Sequence, residues 1–419
     1  MLRQGGRDRR SEGILAEASR RGKPTVEPPG PYPPPMLQAG AALVRDPDPA
    51  QAAARAAEEA LAHSGAARAS AALVFATGPA DPQACAAAVR EALGPAALAT
   101  AVGHAVAAGQ VEEEGPGAVA VLVVAGVEAQ AFAASGASGA EETIGPEVES
   151  LLGRSPRDSD LVVLFADPLG ADPTRLVESL GDLAPACVVG AGAALDRPGA
   201  ALLASNDRSV AAGGACGVLF SLATPPRVAT SQGCRPIGAV RVASRGDGHW
   251  LLEFVGKPAL DAFVEAAHEP LAEDLRRAAE RVLVALPRGA RSRGDAGEAW
   301  VARRVSGFAY ERRALALPEP LRVGTAFRFA LRDADLARED LREALARVAP
   351  ARAALYLGAS DRGRALFRHS GLESALVAQA LAPAPVAALF GSFEIAPLGG
   401  SLVHLAHAGV VVALDGGDR

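Results

Sequence analysis

AALVFATGPADPQACAAAVREALGPAALATAVG, residues 71–103, is the stretch from which the fold can be read. Its first six residues form an apolar run of strand length, as expected of a strand buried on both faces. Asp81-Pro82 then opens an amphipathic segment over 81–93, Asp supplying a cap and Pro suiting the first helical turn. A second apolar run follows over 98–102 and closes at Gly103. The same order returns in LVVLFADPLGADPTRLVESLGDLAPACVVG, residues 161–190. Here a strand over 161–165 leads to Asp172-Pro173, a helix over 172–183, and a strand over 186–189 closed by Gly190. A looser third copy is Ala354-Leu355-Tyr356-Leu357, a helix over 372–381, a strand over 386–390 and Gly391. Three strand–helix–strand units of this length predict an α/β fold and do not fit a solenoid, whose units are shorter and more numerous.

Around these units the chain alternates further. AVAVLVVA, residues 118–125, reads as another buried strand. The middle is richer in strands, over 209–221, 227–231, 238–244 and 250–254. A helical stretch over 258–281, strands over 282–286, 300–308 and 321–329, and a helix over 333–348 complete the pattern. Such a mixture predicts two α/β domains of mixed sheets with flanking helices, over 38–250 and 251–413. The change falls near Ser244-Arg245-Gly246-Asp247-Gly248. Residues 1–37 read as a disordered Arg/Pro-rich tail, because Pro28-Pro29-Gly30-Pro31-Tyr32-Pro33-Pro34-Pro35 cannot pack a core. Met36 is the expected start of the protein, and a partner-binding proline-rich arm is the alternative.

Composition narrows the function. The 419 residues are 49% hydrophobic, 21% charged and 4% aromatic, so the cores must be built from Ala, Val and Leu. A net charge of −6 argues against a general nucleic-acid binder. No apolar run reaches the roughly 18 residues of a membrane span, and the arginines near the N-terminus precede no signal-peptide core. A cytoplasmic protein is expected. Cys85, Cys187, Cys216 and Cys234 are far apart, which excludes a local zinc knuckle and gives no disulfide framework. Cys85, Cys187 and Cys216 sit in apolar runs and read as core residues, whereas Cys234 has polar neighbours. Gly190-Ala191-Gly192 is followed by Leu195 where a dinucleotide fingerprint needs Gly, and no phosphate-binding G-x-x-x-x-G-K-[ST] occurs. G-x-S-x-G is missing too, which counts against an α/β-hydrolase.

The densest chemistry lies in SQGCRPIG, residues 231–238, with Gly256-Lys257-Pro258-Ala259 some twenty residues on. Together they resemble the junction of the FIST N-terminal and FIST C-terminal domains. Val102-Gly103-His104-Ala105 with Glu112-Glu113-Glu114-Gly115-Pro116 resembles that family's early Gly-Cys-Ser stretch. Val188-Val189-Gly190 and residues 202–219 resemble its middle. Ser360-Asp361-Arg362-Gly363-Arg364 resembles its late Gly-Arg-Gly segment, and Phe393-Glu394-Ile395-Ala396-Pro397 with His404 its closing motif. The sequence departs from the pattern at His104, Phe393 and Ala396, while Cys234, Arg235, Arg362, Glu394 and His404 keep its polar positions.

The resemblance implies a sensory, ligand-binding module for small molecules such as amino acids, with those five residues as ligand contacts and no catalysis. No output domain accompanies it in this sequence, so the expected partner is a signalling protein acted on in trans. Each residue also has a plainer reading. Arg235 either holds an anion or makes a structural ion pair. Cys234 is a packed turn residue, a ligand contact or a thiolate. Glu394, in an apolar strand, either meets an Arg such as Arg235 or Arg362 or faces a pocket. His404 is a core histidine or a ligand, and His407 faces the other side of the strand. Two alternatives are a haem-based nitric-oxide sensor ligated by His404 or His104 and a thiol enzyme using Cys234.

Overall fold

Uninterrupted apolar runs need cover on both faces, and parallel pairing beneath helices supplies it. The computed structural model describes Met1 and residues 36–134, 140–194, 201–206, 208–268, 271–288 and 299–415. In it Ala71–Thr77 runs parallel to Ala97–Gly103, Asp160–Ala166 to Cys187–Gly192, and Ala353–Ala359 to Val386–Gly391. Each pair lies in a different six-stranded sheet, so the three sequence repeats are three structural repeats. Pro82–Leu93, Pro173–Gly181 and Leu372–Leu381 are the linking helices. Asp81 and Asp172 accept the N–H of Gln83 and Thr174 at 2.9 and 2.8 Å, the caps that the Asp-Pro pairs foretell. Residues 2–35 of the predicted tail lie outside the described residues.

Each repeat extends beyond this kernel. Gln38–Arg45 and Pro49–Ser64 precede it in the first repeat, and Glu128–Ala134 and Ala140–Leu152 in the second. A returning strand, Ala118–Ala125 or Ala215–Ser221, inserts antiparallel between the opening strand and the kernel. The third repeat uses Arg227–Ser231, helix Ala334–Val348 and the returning strand Gly409–Leu414 in the same way. Between its opening strand and first helix an eight-stranded sheet is inserted, including Arg235–Asp247, Val282–Pro287 and Ala326–Leu331. Arg235 and Leu331 are register partners, so the insertion leaves and rejoins the repeat at one place.

The repeats are locked together by exchanged hairpins. Ala105–Ala108 and Val111–Glu113 leave the first repeat and pair with Val386–Gly391 of the third. Glu394–Leu398 and Ser401–Leu405 leave the third and pair with Cys187–Gly192 of the second. Leu203–Ser205 and Arg208–Ser209 leave the second and pair with Ala97–Gly103 of the first, closing the cycle. Backbone bonds mark the crossings: His104 N–H to Phe390 O at 2.9 Å, Ser392 N–H to Gly192 O at 3.0 Å, Ala194 N–H to Val102 O at 2.8 Å. A Cβ on Gly391 would overlap the Gly192 carbonyl, and one on Gly192 would overlap Ser392 and Phe393. The glycine that closes the second repeat is therefore Gly192, paired with Ala166 as Gly391 is with Ala359, and not the predicted Gly190.

Inward faces of the repeats and the insertion share one apolar core, where Phe75 and Phe165 meet edge to face at 5.4 Å. The outer helices cover separate clusters. Other elements depart from the sequence reading. The strand predicted over 321–329 is Ala326–Leu331, and 300–308 is broken into Trp300–Arg303 and Gly307–Ala309. Cys187 is half-buried, and Cys234 is buried despite its polar neighbours.

Candidate functional site

SQGCRPIG is where the chain leaves the third repeat for the insertion, and its side chains fasten that exit. Ser231 Oγ and the Gly233 N–H both donate to Asp340 of helix Ala334–Val348, at 2.9 and 2.8 Å. Gly233 takes φ +65°, and a Cβ there would press on the Arg362 guanidinium. The Gln232 side chain receives the Ala302 N–H at 2.8 Å and donates to the Trp300 carbonyl, pairing with strand Trp300–Arg303 as a neighbouring backbone would. Arg235 is half-exposed and bound to Glu339 and Glu343 of the same helix at 3.2 and 2.7 Å. The plainer of its two readings, the ion pair, is what the geometry places there. Cys234 is buried among Leu283, Ala285, Ala302 and Ala330. Burial, reinforced by the Asp340 charge, pushes its thiol up to about 12, so it stays protonated at neutral pH and is a poor nucleophile.

Loop 360–362 follows strand Ala353–Ala359, and its three side chains part. Arg362 turns inward and is fully buried. Its Nε donates to Glu373 Oε1 at 2.6 Å, an oxygen that also accepts the Tyr356 hydroxyl at 2.5 Å. Its Nη groups reach the Ser231 carbonyl and hydroxyl at 3.2 Å and the His407 carbonyl at 3.4 Å. Burial works against the charge, but Glu373 outweighs it and raises the guanidinium above its ordinary value. Arg362 thus ties the opening strand of the third repeat to helix Leu372–Leu381 and to the turn after the exchanged hairpin.

Asp361 turns the other way, into a groove of about 630 Å³ between the insertion and the third repeat. It accepts His407 Nδ1 at 2.6 Å, Arg304 Nη2 at 2.9 Å and Arg332 Nη2 at 3.1 Å, and its carbonyl takes Arg332 again at 3.0 Å. Burial opposes ionisation, yet the His407 hydrogen bond and the charges of His407, Arg332 and Arg304 hold this carboxyl well below the usual carboxylate range. Arg281 and Arg368 line the same groove. Arg332 is 7% exposed, and its Nε has no hydrogen-bond partner among the described residues. Ser360 faces a second groove of about 630 Å³ with His104, Glu112, Glu114 and Arg364. There Glu112 accepts the Gly371 N–H and the Ser374 hydroxyl at 3.1 and 2.6 Å, capping the start of helix Leu372–Leu381 from the first repeat's hairpin.

Glu394 opens the third exchanged hairpin and is wholly buried. Its Oε2 accepts the Ala408 N–H at 3.3 Å, and Oε1 has no partner among the described residues. It bonds neither Arg235 nor Arg362, and it lines neither groove. Burial and the Asp361 charge push its carboxyl well above the usual range, so it keeps its proton. The His404 ring packs edge to face on Phe393 at 5.5 Å. Burial and the Arg303 charge bring its pKa down to about 4. The Arg362 charge works against the upward shifts of both Cys234 and Glu394. Arg235, held by Glu339 and Glu343, and His404, packed on Phe393, make no side-chain hydrogen bond to these three among the described residues. Asp361, Arg304 and Arg332 were not picked out from sequence, though Asp361 lies inside the quoted Ser-Asp-Arg-Gly run; His407, read as facing the other side of the strand, lies instead in the turn beyond Leu405, at φ +64°. Among the described residues no three His, Cys, Asp or Glu side chains form a metal site, and no helix is long and apolar enough to cross a membrane.

Two family matches meet inside the inserted sheet. The FIST N domain matches residues 70–257 and the FIST C domain residues 259–397. The chain belongs to the FIST family. It is 30% identical over 332 residues to the uncharacterized protein MT0656 of Mycobacterium tuberculosis (strain CDC 1551 / Oshkosh), covering 75% of this chain and 82% of that one. The uncharacterized protein Mb0898c of Mycobacterium bovis (strain ATCC BAA-935 / AF2122/97) is likewise 30% identical over 328 residues, covering 75% and 81%. A solved cyanuric acid hydrolase from A. caulinodans overlaps 44% of this chain and 71% of its own at 13% identity, with a TM-score of 0.28. FIST domains are associated with sensory signal transduction.

Proposed function

We propose that this protein is a cytoplasmic bacterial sensor that binds a small acidic or amino-acid-like molecule in the Asp361 groove and signals to a separate protein without catalysis. The observation that supports this is Arg332, a buried guanidinium whose Nε lacks a partner among the described residues, lining a groove of ligand size. Unpaired buried donors are uncommon, and a ligand acid on the Arg332 fork would add to the charge that Asp361 alone now meets. Arg235, committed to Glu339 and Glu343, is less available for that role. A ligand at 100 times its Kd adds about 2.7 kcal/mol to the stability of the folded state. A thermal-shift screen of the full chain against small organic acids and amino acids is expected to give a saturable hit that Arg332→Gln removes. A hit untouched by Arg332→Gln, or product formed from the bound molecule, would count against the reading.

A further inference from the structure

Four arginines, Arg281, Arg304, Arg332 and Arg368, line the groove together with four acids, Glu280, Asp333, Asp335 and Asp361. Arg304 and Arg332 share the single carboxylate of Asp361, which already accepts His407. Arg281 and Arg368 line the same groove and make no side-chain ion pair among the described residues. The Arg281 carbonyl accepts the Arg332 N–H at 2.7 Å, so these two arginines stand side by side. Arg368 ends the short helix Gly363–Phe367, whose Ala365 and Leu366 supply apolar wall. The acids at the rim are largely spoken for. Asp333 caps helix Ala334–Val348 through the N–H groups of Asp335 and Leu336 at 2.9 and 3.0 Å, and Asp335 holds Arg338 at 2.6 Å. Glu280 is exposed. Of these acids the side chain of Glu280 alone has no partner among the described residues, whereas two pairs of guanidinium forks face one space.

We propose that the groove takes a small dicarboxylate, one end joining Asp361 on Arg304 and Arg332 and the other held by Arg281 and Arg368. This rests on the reading of the groove as the ligand site. Guanidinium forks match carboxylates in shape and remain charged throughout the physiological range, so two pairs of them select for two acids.

Calorimetric titration of the full chain with succinate, glutarate, butyrate and glycine tests this. Both diacids are expected to bind at least ~10-fold tighter than butyrate or glycine, a difference of about 1.4 kcal/mol. Arg332→Gln removes all binding. The double variant Arg281→Gln/Arg368→Gln, altered at residues outside the core, brings the diacids down to the butyrate level and leaves butyrate unchanged. Butyrate or glycine binding as tightly as the diacids, with all of it lost in Arg332→Gln, overturns the dicarboxylate and leaves the groove standing as the site. Diacid binding that survives Arg332→Gln, or no binding by any of the four, overturns both.

Discussion

Two buried ionisable groups meet opposite fates in this molecule. Arg362 is paired in full with Glu373, so truncating it strands a carboxylate in the core. Arg362→Met is expected to lower stability by about 3–5 kcal/mol in urea unfolding, with the double change Arg362→Met/Glu373→Leu recovering much of it. Glu394 escapes the same problem by keeping its proton, so its folded form holds a proton that the unfolded form releases above the ordinary carboxylate range. Its contribution is full at acid pH and fades as pH rises. Glu394→Gln, neutral at every pH, should match the parent near pH 4 and exceed it increasingly towards pH 8. His404 runs the other way, binding fewer protons folded than unfolded between about 4 and 6.5. Stability should therefore fall as pH drops through that window, by up to about 3 kcal/mol, and His404→Phe should flatten that part of the profile.

At the level of elements, glycines at the hairpin crossings are among the sites of closest approach. Gly391→Ala should cost on the order of 1–3 kcal/mol or more, because its methyl meets backbone rather than a side chain that could swing away. Gly181→Ala, at a helix position with open space around it, should be neutral or slightly stabilising in the same denaturation assay. What could be read from sequence follows from the same geometry. Parallel strands under helices give unbroken runs such as AVAVLVVA and Asp-Pro caps, which are local signals, and so the kernels were legible. The opening strand Gln38–Arg45 and the Ala-rich helix Pro49–Ser64 were missed because small residues on both faces blur the helical period. The exchange of hairpins was invisible, since pairing 105–108 with 387–390 leaves no trace at either place. The groove was illegible for a further reason: Arg304 and Arg332 are ordinary members of an arginine-rich chain until the fold aims both at Asp361.

Across the whole molecule, residues 36–419 form one compact unit. Strand Arg227–Ser231 belongs to the sheet completed by Gly409–Leu414, so a cut at 250/251 would separate strands of one sheet. Fragments 36–250 and 251–419 expressed singly should show little cooperative unfolding by calorimetry, and mixing them should restore a transition. Excising 235–331 at its paired ends should be better tolerated by the three repeats, while removing Arg281 and Arg304 from the groove.

The cyclic exchange of hairpins also bears on how the chain is made. A ribosome delivers the first repeat's hairpin long before strand Val386–Gly391, its only sheet partner among the described residues besides its own second strand, has left the exit tunnel. The edge of Ala97–Gly103 waits in turn for Leu203–Ser205. Open strand edges invite pairing with other chains. The newborn protein must therefore carry an unsatisfied edge until residues 386–391 have emerged, and its yield in the cell should depend on how quickly translation passes them and on what shields that edge meanwhile.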